Sequence, residues 1–311
     1  MGKKSCEGGW KASLAMVLKE HNCVKHDGSV AGSATQDKRA DVLFAGFKEL
    51  RELGFKLQDV RGFGGRHMQA LAQSWEARSL APSTIQNNIS TFRRFSDWIG
   101  KAGMVEGAAK YVSEGVAGRS SVNKVDKSWS ARGVDIDAKI AVVTAKDARV
   151  GLQLELQKEF GLRPREAMQL RPHIADKGTY LAVTVGTKGG RDRVVPIDTQ
   201  AKRDLLERAK AFTSSKSSST SDPKLTLVQV KSHYYAVVRA CGITRRAGIT
   251  SHGLRHGYAN NRFEQMSGEA SPVRGGSLAI RDRETDRAIR LEIAEELGHS
   301  RESVTTHYLG R

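Results

Sequence analysis

The sequence predicts a mainly α-helical protein with one small β-sheet, built as two domains. The chain has 311 residues, which exceeds the length over which a single hydrophobic core usually forms. Apolar residues recur at helical spacing through most of the chain, whereas two short β-branched runs joined by a glycine-bearing turn are typical of strands. A polar, basic stretch without periodicity separates the two halves, as an interdomain linker does.

These patterns divide the chain into four segments. Residues 1–36 contain one short helix candidate and a Gly/Ser/Ala-rich stretch, and we predict no role for them. Residues 37–117 are predicted to form a helical domain, residues 118–139 the linker, and residues 140–311 a second and larger domain.

The first domain is predicted from three amphipathic helices. Leu43, Phe47 and Leu50 share one helical face, residues 68–75 form a second apolar stripe, and a third helix, capped by Ser83, has apolar residues at spacings of three and four. The polar face of this third helix consists of Asn87, Asn88, Thr91 and Arg94. Periodicity alone favours an ordinary solvated face there.

The second domain is predicted to be helical around one hairpin. Helices are expected at residues 145–160, 198–212, 225–240, 251–265, 285–297 and 302–308, and strands at 180–185 and 193–197. The turn between the strands contains Lys188 followed by Gly189 and Gly190.

The charge of the chain predicts a polyanionic partner. Lys and Arg number 51 against 34 Asp and Glu, which gives a net charge of +17. Solubility needs nothing like this excess, and the basic residues are spread along the chain rather than gathered on one amphipathic helix, which disfavours a membrane surface. Nucleic acid is therefore the expected partner.

Other classes of protein are disfavoured. No run approaches the roughly 18 apolar residues of a membrane helix, and the N-terminus has no signal pattern. The three cysteines, Cys6, Cys23 and Cys241, are too few and scattered for a disulfide framework, and their surroundings match no common zinc pattern. We therefore expect a cytoplasmic protein without a metal site.

The second half contains an unusual set of phosphate-binding side chains. The set consists of Arg163, Glu166, Lys188, His252, Arg255, His299 and Tyr308. His252 and Arg255 are three positions apart and so share a helix face, and Lys188 lies at the hairpin tip. Each residue alone has an ordinary structural explanation. Together, two arginines, a lysine, two histidines and a tyrosine are the groups that metal-free phosphoryl transfer needs.

Four ordered motifs resemble those of the tyrosine recombinases, the phage integrase family to which lambda integrase and the Xer proteins belong. Residues 161–171, GLRPREAMQLR, resemble the first arginine box, and residues 251–259, SHGLRHGYA, the His-x-Leu-Arg-His box. Residues 297–300, LGHS, followed by 305–308, TTHY, resemble the closing box with its tyrosine. Residues 187–196 resemble the family's lysine hairpin, and residues 83–103 a helix of its core-binding domain.

The resemblance implies a fold and an activity. The fold is a SAM-like helical core-binding domain and an α+β catalytic domain that close on DNA as a C-shaped clamp. The activity is site-specific recombination through a 3′-phosphotyrosyl intermediate, which integrates or excises a mobile element. It implies no cofactor, a bacterial, nucleoid-associated location, assembly as a tetramer on two duplexes with specific sites, and accessory DNA-bending or directionality factors.

The resemblance also implies roles for individual residues. Tyr308 is the expected nucleophile, Arg163 and Arg255 bind the phosphate, and His299 hydrogen-bonds it. Lys188 protonates the leaving oxygen, His252 assists proton removal from the tyrosine, and Glu166 supports the site. The residues expected to contact DNA are Asn87, Asn88, Thr91, Arg94, Arg191 and Arg193.

Two alternatives and one departure accompany this interpretation. A type IB topoisomerase uses nearly the same side chains to nick and close DNA, and a DNA-binding protein with an inactive site is a third possibility. The separation of Arg255 and His299 exceeds that of compact relatives. The excess, residues 268–286, is either a DNA-contacting loop or a tolerated insertion.

Overall fold

A computed structural model describes residues 9–118, 122–277 and 282–311. The chain divides into two compact units, Met1–Ser120 and Ser121–Arg311. The described residues are mostly helical and contain one two-stranded sheet. These observations confirm the predicted fold class.

The first unit is a helical bundle with an aromatic core. Its helices are α1 (Gly9–His21), α2 (Ser33–Glu52), α3 (Gly65–Ala77), α4 (Pro82–Trp98) and the short α5 (Glu114–Ala117). Phe47 of α2 and Phe95 of α4 have ring centroids 5.2 Å apart. A side chain at Gly46 would place its Cβ 2.5 Å from the ring of Phe92, so this glycine lets α2 and α4 approach each other closely. Leu14 of α1 is fully buried in the same core.

The second unit contains nine helices and the sheet within its described residues. The helices are α6 (Ile136–Lys146), α7 (Ala148–Phe160), α8 (Pro164–Gln169), α9 (Pro172–Ala175), α10 (Gln200–Phe212), α11 (Leu227–Ala240), α12 (Ser251–Ser267), α13 (Arg283–Glu296) and α14 (Thr306–Leu309). Strands β1 (Tyr180–Val183) and β2 (Arg193–Pro196) pair antiparallel, with Leu181 opposite Val195 and Val183 opposite Arg193.

Residues predicted as linker pack in this second unit. Trp129 is fully buried, and its indole Nε1 donates a hydrogen bond to the Thr250 carbonyl oxygen at 2.7 Å. A 3-10 turn at Ser130–Arg132 follows, and α6 begins at Ile136. Burial of an indole removes a large apolar area from water. Of the predicted linker, residues 122–139 therefore belong to the second unit, and residues 119–121 lie outside the described part.

Helix α7 is the centre of the second unit. Asp147, in extended conformation, separates it from α6, and the Asp147 carboxylate accepts a hydrogen bond from Val150 N at 2.9 Å. Leu156 and Phe160 face one apolar cluster, and Leu154 faces a second one that contains Trp129. A helix buried on several faces lies inside its domain rather than on its surface. The two clusters therefore fix the position of the C-terminal end of α7, directly before the first residues of the candidate site.

The described part of the predicted insertion packs against the same unit. Ser271 is fully buried, and Arg274 Nε donates to Asp126 Oδ2 at 2.9 Å. Arg274 Nη1 donates to Asn261 Oδ1 at 2.8 Å. Residues 278–281 of the insertion, like residues 1–8 with Cys6, lie outside the described residues.

Two features are absent from the described residues. None of the helices there has the length and apolar character to cross a membrane. Nor do His, Cys, Asp and Glu side chains in those ranges gather into a group of three or more that could hold a metal ion.

Candidate active site

The first element of the site is an ion pair at the start of α8. Arg163 precedes the helix, whose first residue is Pro164, a favourable position for proline because its missing N–H would have no partner there. The backbone N–H of Arg163 donates to Glu166 Oε2 at 2.6 Å, and Arg163 Nη1 donates to Glu166 Oε1 at 2.7 Å. The same side chain therefore caps the helix and orients the Arg163 guanidinium.

A second arginine binds the same carboxylate. Arg193 Nη1 and Nη2 donate to Glu166 Oε1 and Oε2, each at 2.7 Å, and Arg193 Nε donates to the Glu296 carbonyl oxygen at 2.6 Å. Only 2% of the Arg193 side chain is exposed. This placement contradicts the prediction that Arg193 contacts DNA, because its guanidinium is buried and engaged on both edges.

The two arginines determine the charge of Glu166. Burial by itself would raise the pKa of this carboxyl, but the hydrogen bonds and charge of Arg193, together with the charge of Arg163, lower it to about 2. Glu166 is therefore ionised at neutral pH, and its position depends on both arginines.

Arg255 lies between the carboxyl ends of two helices. Its guanidinium donates to the carbonyl oxygens of Gly161, just after α7, and Leu297, just after α13. Carbonyl groups at helix ends have no partner within their helix and carry a partial negative charge, which favours a cation. Arg163 Nη2 donates to the same Leu297 oxygen at 3.1 Å, so one carbonyl joins the two arginines.

Arg255 stays cationic in spite of its burial. The side chain is fully buried, and burial is the main reason why the pKa of Arg255 falls to about 10, while the nearby Tyr308 opposes the fall. Gly161 has a φ of +57°, and a Cβ on it would lie 2.5 Å from the ring of Tyr258. Glycine at this position therefore allows α7 to end where its carbonyl reaches Arg255.

Tyr308 lies in α14 with its hydroxyl toward Arg255. Arg255 Nε donates to Tyr308 Oη at 3.2 Å, and 6% of the tyrosine is exposed. The segment around it is held from three sides. Asn123 N donates to Thr306 O at 2.9 Å, Arg290 Nη1 donates to Gly310 O at 3.0 Å, and Asn260 Nδ2 lies 3.5 Å from Tyr308 O.

Three histidine rings surround the tyrosine. The ring centroids of His252 and His299 are each 6.1 Å from that of Tyr308, and that of His256 is 4.9 Å away. His252 is exposed at the mouth of the site, yet loss of surrounding water, followed by the charges of Arg255, Arg163 and Lys127, lowers its pKa to about 4. Burial lowers the pKa of His256 to about 3. Both imidazoles are therefore neutral at pH 7.

Lys188 and Arg191 are carried by the hairpin. The backbone of Lys188 lies in the turn Lys188–Gly190 between β1 and β2, and its side chain lies outside the described part of the structure. Gly189 and Gly190 follow with φ values of +73° and +69°, which residues other than glycine adopt at a cost. Arg191 is exposed. Arg193, two residues further on, joins this hairpin to Glu166.

Comparison with protein families identifies the class of this site. A family model described as phage integrase, N-terminal, matches residues 17–105, and one described as integrase matches residues 124–261. Together the two cover well over half of the sequence. The chain belongs to the phage integrase family of tyrosine recombinases. It is thus an enzyme of the class that breaks and rejoins DNA. No curated protein matches the sequence significantly.

Solved structures share the fold of this recombinase. A lambda integrase fragment, determined as a dimer bound to a COC′ core site, gives a TM-score of 0.60 at 14% identity over 96% of this chain and 95% of that one. The Tn1549 transposon integrase with circular intermediate DNA gives 0.58 at 12% identity over 96% and 94%. A lambda integrase tetramer bound to a Holliday junction gives 0.58 at 15% identity over 94% and 75%. At these identities the likeness establishes the fold.

The recombinase's predicted DNA-contacting face on α4 is partly engaged within the first unit. Asn87 is exposed, and its carbonyl oxygen accepts a hydrogen bond from Thr91 Oγ1 at 2.9 Å, while Asn88 is half-buried. Arg94 Nη2 donates to the Lys25 carbonyl oxygen at 2.9 Å, and Arg94 Nη1 lies 3.9 Å from Asp97 Oδ2. Asn87 is therefore the exposed member of this face, and Asn88, Thr91 and Arg94 are half-buried.

Several groups that hold the site were not predicted. The oxygens of Gly161, Glu296 and Leu297 are main-chain atoms, for which the sequence has no side-chain signal. The buried role of Arg193 did have one. In β2, Arg193 and Val195 face inward and Val194 faces outward, so strand alternation places the arginine on the apolar side, where it needs a carboxylate partner.

Proposed function

We propose that this protein is a site-specific DNA recombinase that cleaves and rejoins duplex DNA through a 3′-phosphotyrosyl bond to Tyr308. The observation that supports it most is the position of the Tyr308 hydroxyl, 3.2 Å from Arg255 Nε. Arg255 and Arg163 both donate a hydrogen bond to the Leu297 carbonyl oxygen, so the two guanidinium groups lie close together. A tyrosine beside two fixed guanidinium groups has both a nucleophile and a means of binding phosphate.

In the proposed reaction, Tyr308 Oη attacks a phosphodiester and forms a bond to phosphorus while the bond to the 5′-oxygen breaks. The tyrosine proton passes to His252, which is neutral at pH 7 because its pKa is about 4 and so has a free ring nitrogen. Lys188 supplies a proton to the leaving 5′-oxygen. A 5′-hydroxyl from the second duplex then attacks the phosphotyrosine and restores Tyr308. The phosphodiester energy is kept in the intermediate, so ATP is not consumed.

Arg163, Arg255 and His299 stabilise the charge that develops on the phosphate oxygens. Arg163 is half-buried and can meet a phosphate as it stands, whereas Arg255 is fully buried. Contact between Arg255 and DNA therefore requires a local rearrangement, and we propose a shift of Tyr308, whose hydroxyl lies against Arg255 Nε. Such a shift also frees the hydroxyl for attack, which couples phosphate binding to exposure of the nucleophile.

Duplex DNA with specific recombination sites is the proposed partner. The net charge of +17, the exposed Asn87 and half-buried Thr91 on α4, and the exposed Arg191 on the hairpin favour it. We further propose that the two units close on DNA as a clamp, that four protomers act on two duplexes, and that DNA-bending or directionality factors assist. The element served would be a bacterial mobile element, with the protein in the cytoplasm at the nucleoid.

Replacement of the nucleophile tests this proposal. Tyr308→Phe removes one oxygen, so we expect DNA binding to persist and covalent attachment to vanish. The substrate is a nicked duplex taken from repeated sequences in the DNA that flanks the gene, and the adduct is scored on a denaturing gel. An adduct formed by the Phe variant at the wild-type yield would refute the assignment of Tyr308.

A second assay separates recombination from the topoisomerase alternative, because both reactions pass through the same adduct. Purified protein is mixed with two duplexes that carry the flanking sites, and strand-exchanged product and a complex with four protomers are scored. Relaxation of supercoiled plasmid of any sequence, without exchanged product, would favour the topoisomerase.

A further inference from the structure

We propose that Arg193 is a positioning residue for cleavage, which ties the Lys188 hairpin to both phosphate-binding arginines. The inference rests on the proposed function, since it concerns the geometry of the same site. It replaces the prediction from the sequence that Arg193 binds DNA.

The first link is the carboxylate that Arg193 shares with Arg163. Glu166 accepts two hydrogen bonds from the Arg193 guanidinium and two from Arg163, one of them from its backbone. The two Arg193 bonds form a planar, bidentate pair, the geometry that fixes a carboxylate in orientation as well as in position. Arg193 therefore determines where Glu166 holds the Arg163 guanidinium.

The second link is the end of α13. Arg193 Nε donates to Glu296 O at 2.6 Å, and the next carbonyl along the chain, Leu297 O, accepts from Arg163 and Arg255. Gly298 follows with a φ of +69°, and a Cβ there would lie 3.1 Å from Arg193 Cδ and 3.6 Å from Arg163 Nη1. The chain thus turns away from α13 directly against both side chains, so a shift of Arg193 moves the oxygen that Arg255 uses.

The third link is the hairpin itself. Arg193 is the first residue of β2, opposite Val183 of β1, and lies five positions after Lys188. The sheet has no third strand among the described residues. Leu181 of β1 forms an isolated bridge to Asp176, Gly186 before the turn packs against the Arg165 carbonyl, and Arg193 after the turn adds the buried ionic contact to Glu166. An anchored Arg193 keeps the base of the Lys188 turn at a fixed distance from Arg163.

Charge distinguishes a positioning role from simple packing. The ionic groups that face Glu166 are Arg163 from the start of α8 and Arg193 from β2, and Arg255 lies beyond the Leu297 carbonyl. Without Arg193, one guanidinium remains to hold Glu166 ionised in a buried position. The carboxyl then takes up a proton at a higher pH than in the wild type, and Arg163 loses its ionic partner as the pH falls.

The test compares three variants in the full-length chain. Arg193→Met removes the charge and keeps the length of the side chain, and Arg193→Lys keeps the charge but loses the bidentate geometry. Arg208→Met is the matched control, because Arg208 forms an exposed ion pair with Glu155 on α7, away from the site. The rate of adduct formation is measured with the nicked duplex between pH 5 and 8, alongside DNA affinity and circular dichroism.

We expect Arg193→Met to bind DNA as the wild type does and to form adduct about 100-fold more slowly, the loss that a shift of about 1 Å in a catalytic group causes. As the pH is lowered toward 5, the rate of adduct formation should fall more steeply for Arg193→Met than for the wild type. Arg193→Lys should be intermediate, and Arg208→Met should match the wild type. A 5′-bridging sulfur in the substrate should not restore the Arg193→Met rate, since a better leaving group does not reposition Arg163 or Arg255.

The outcomes separate the two proposals. If the wild type forms no adduct, the proposed function fails. If the wild type is active and a folded Arg193→Met protein matches its rate and pH dependence, the positioning role is refuted. Full rescue by sulfur would also refute it, because Arg193 would then act on Lys188 alone. If the Met variant does not fold, the test rests on Arg193→Lys. The proposal is then refuted if this variant forms the adduct at the wild-type rate and with the wild-type pH dependence.

Discussion

Glu166→Gln should destabilise the second unit more than any exposed charge replacement. The carboxylate accepts four hydrogen bonds from Arg163 and Arg193, and an amide keeps one acceptor oxygen and turns an N–H group toward the donors. At least two hydrogen bonds to charged groups are lost, at about 1.5–3 kcal/mol each, so the free energy of unfolding should fall by about 3–6 kcal/mol.

The pH dependence of stability gives a second value for the contribution of ionised Glu166 to the free energy of unfolding. A pKa of about 2 for Glu166, against the ordinary 4.5, corresponds to about 3.5 kcal/mol at about 1.4 kcal/mol per pH unit. Because the folded pKa is the lower one, this contribution is complete above pH 4.5 and is lost as the pH falls toward 2. The difference in free energy of unfolding between the wild type and Glu166→Gln should therefore be constant near neutral pH and become smaller below pH 4.5.

Hydrogen exchange in increasing urea, read by mass spectrometry on peptides from α8 and α12, measures the second unit separately from the first. Glu155→Gln is the control, since its partner Arg208 is exposed and such pairs contribute about 0–1 kcal/mol. A cost for Glu166→Gln no greater than that of Glu155→Gln would show that the buried pair does not stabilise the fold as reasoned here.

Three further predictions concern the site and its partner. Lys188→Ala should lose cleavage and regain it when the 5′-bridging oxygen is replaced by sulfur, because a thiolate leaves without a proton; lack of rescue in single-turnover assays would exclude Lys188 as the acid. The logarithm of the affinity for duplex DNA should fall linearly with the logarithm of the salt concentration, because binding releases counterions. An affinity that does not change with salt in titrations would argue against duplex DNA as the partner. Gly298→Ala should slow adduct formation, because its φ of +69° is unfavourable for alanine and the new Cβ would press on Arg193 Cδ at 3.1 Å; an unchanged rate would show that this turn tolerates a methyl group.

The fold class and the family could be read from the sequence because they depend on local and ordered signals. Apolar periodicity located the helices, and four motifs in the right order identified the class of site. The errors lie where tertiary contacts override local patterns. A single helix was predicted across Asp147, whereas its side chain caps α7 and ends α6. Ser83 was predicted as a cap, yet α4 already begins at Pro82, where proline suits the first helical turn.

The candidate site was predictable residue by residue but not in its connections. The side chains of Arg163, His252, Arg255, His299 and Tyr308 do lie around one point, and their catalytic roles stay predictions. The sequence predicts a DNA contact for Arg193, because a basic residue beside a hairpin tip usually lies in solvent. Its partner Glu166 is distant in sequence, and a pairing over that separation leaves no local pattern for sequence reasoning to detect.

The dependence of Arg255 on main-chain oxygens has a consequence for mutagenesis. No side-chain substitution at Leu297 deletes the oxygen that joins Arg255 to Arg163, so a saturation scan should record that position as tolerant of any residue that fits the core. The penalty should appear instead at Gly161 and Gly298, which have no side-chain functional group but fix the direction of the two carbonyls. In such a map, the two glycines would mark the electrostatic support of the reaction, and Leu297, which provides one of its oxygens, would show no effect.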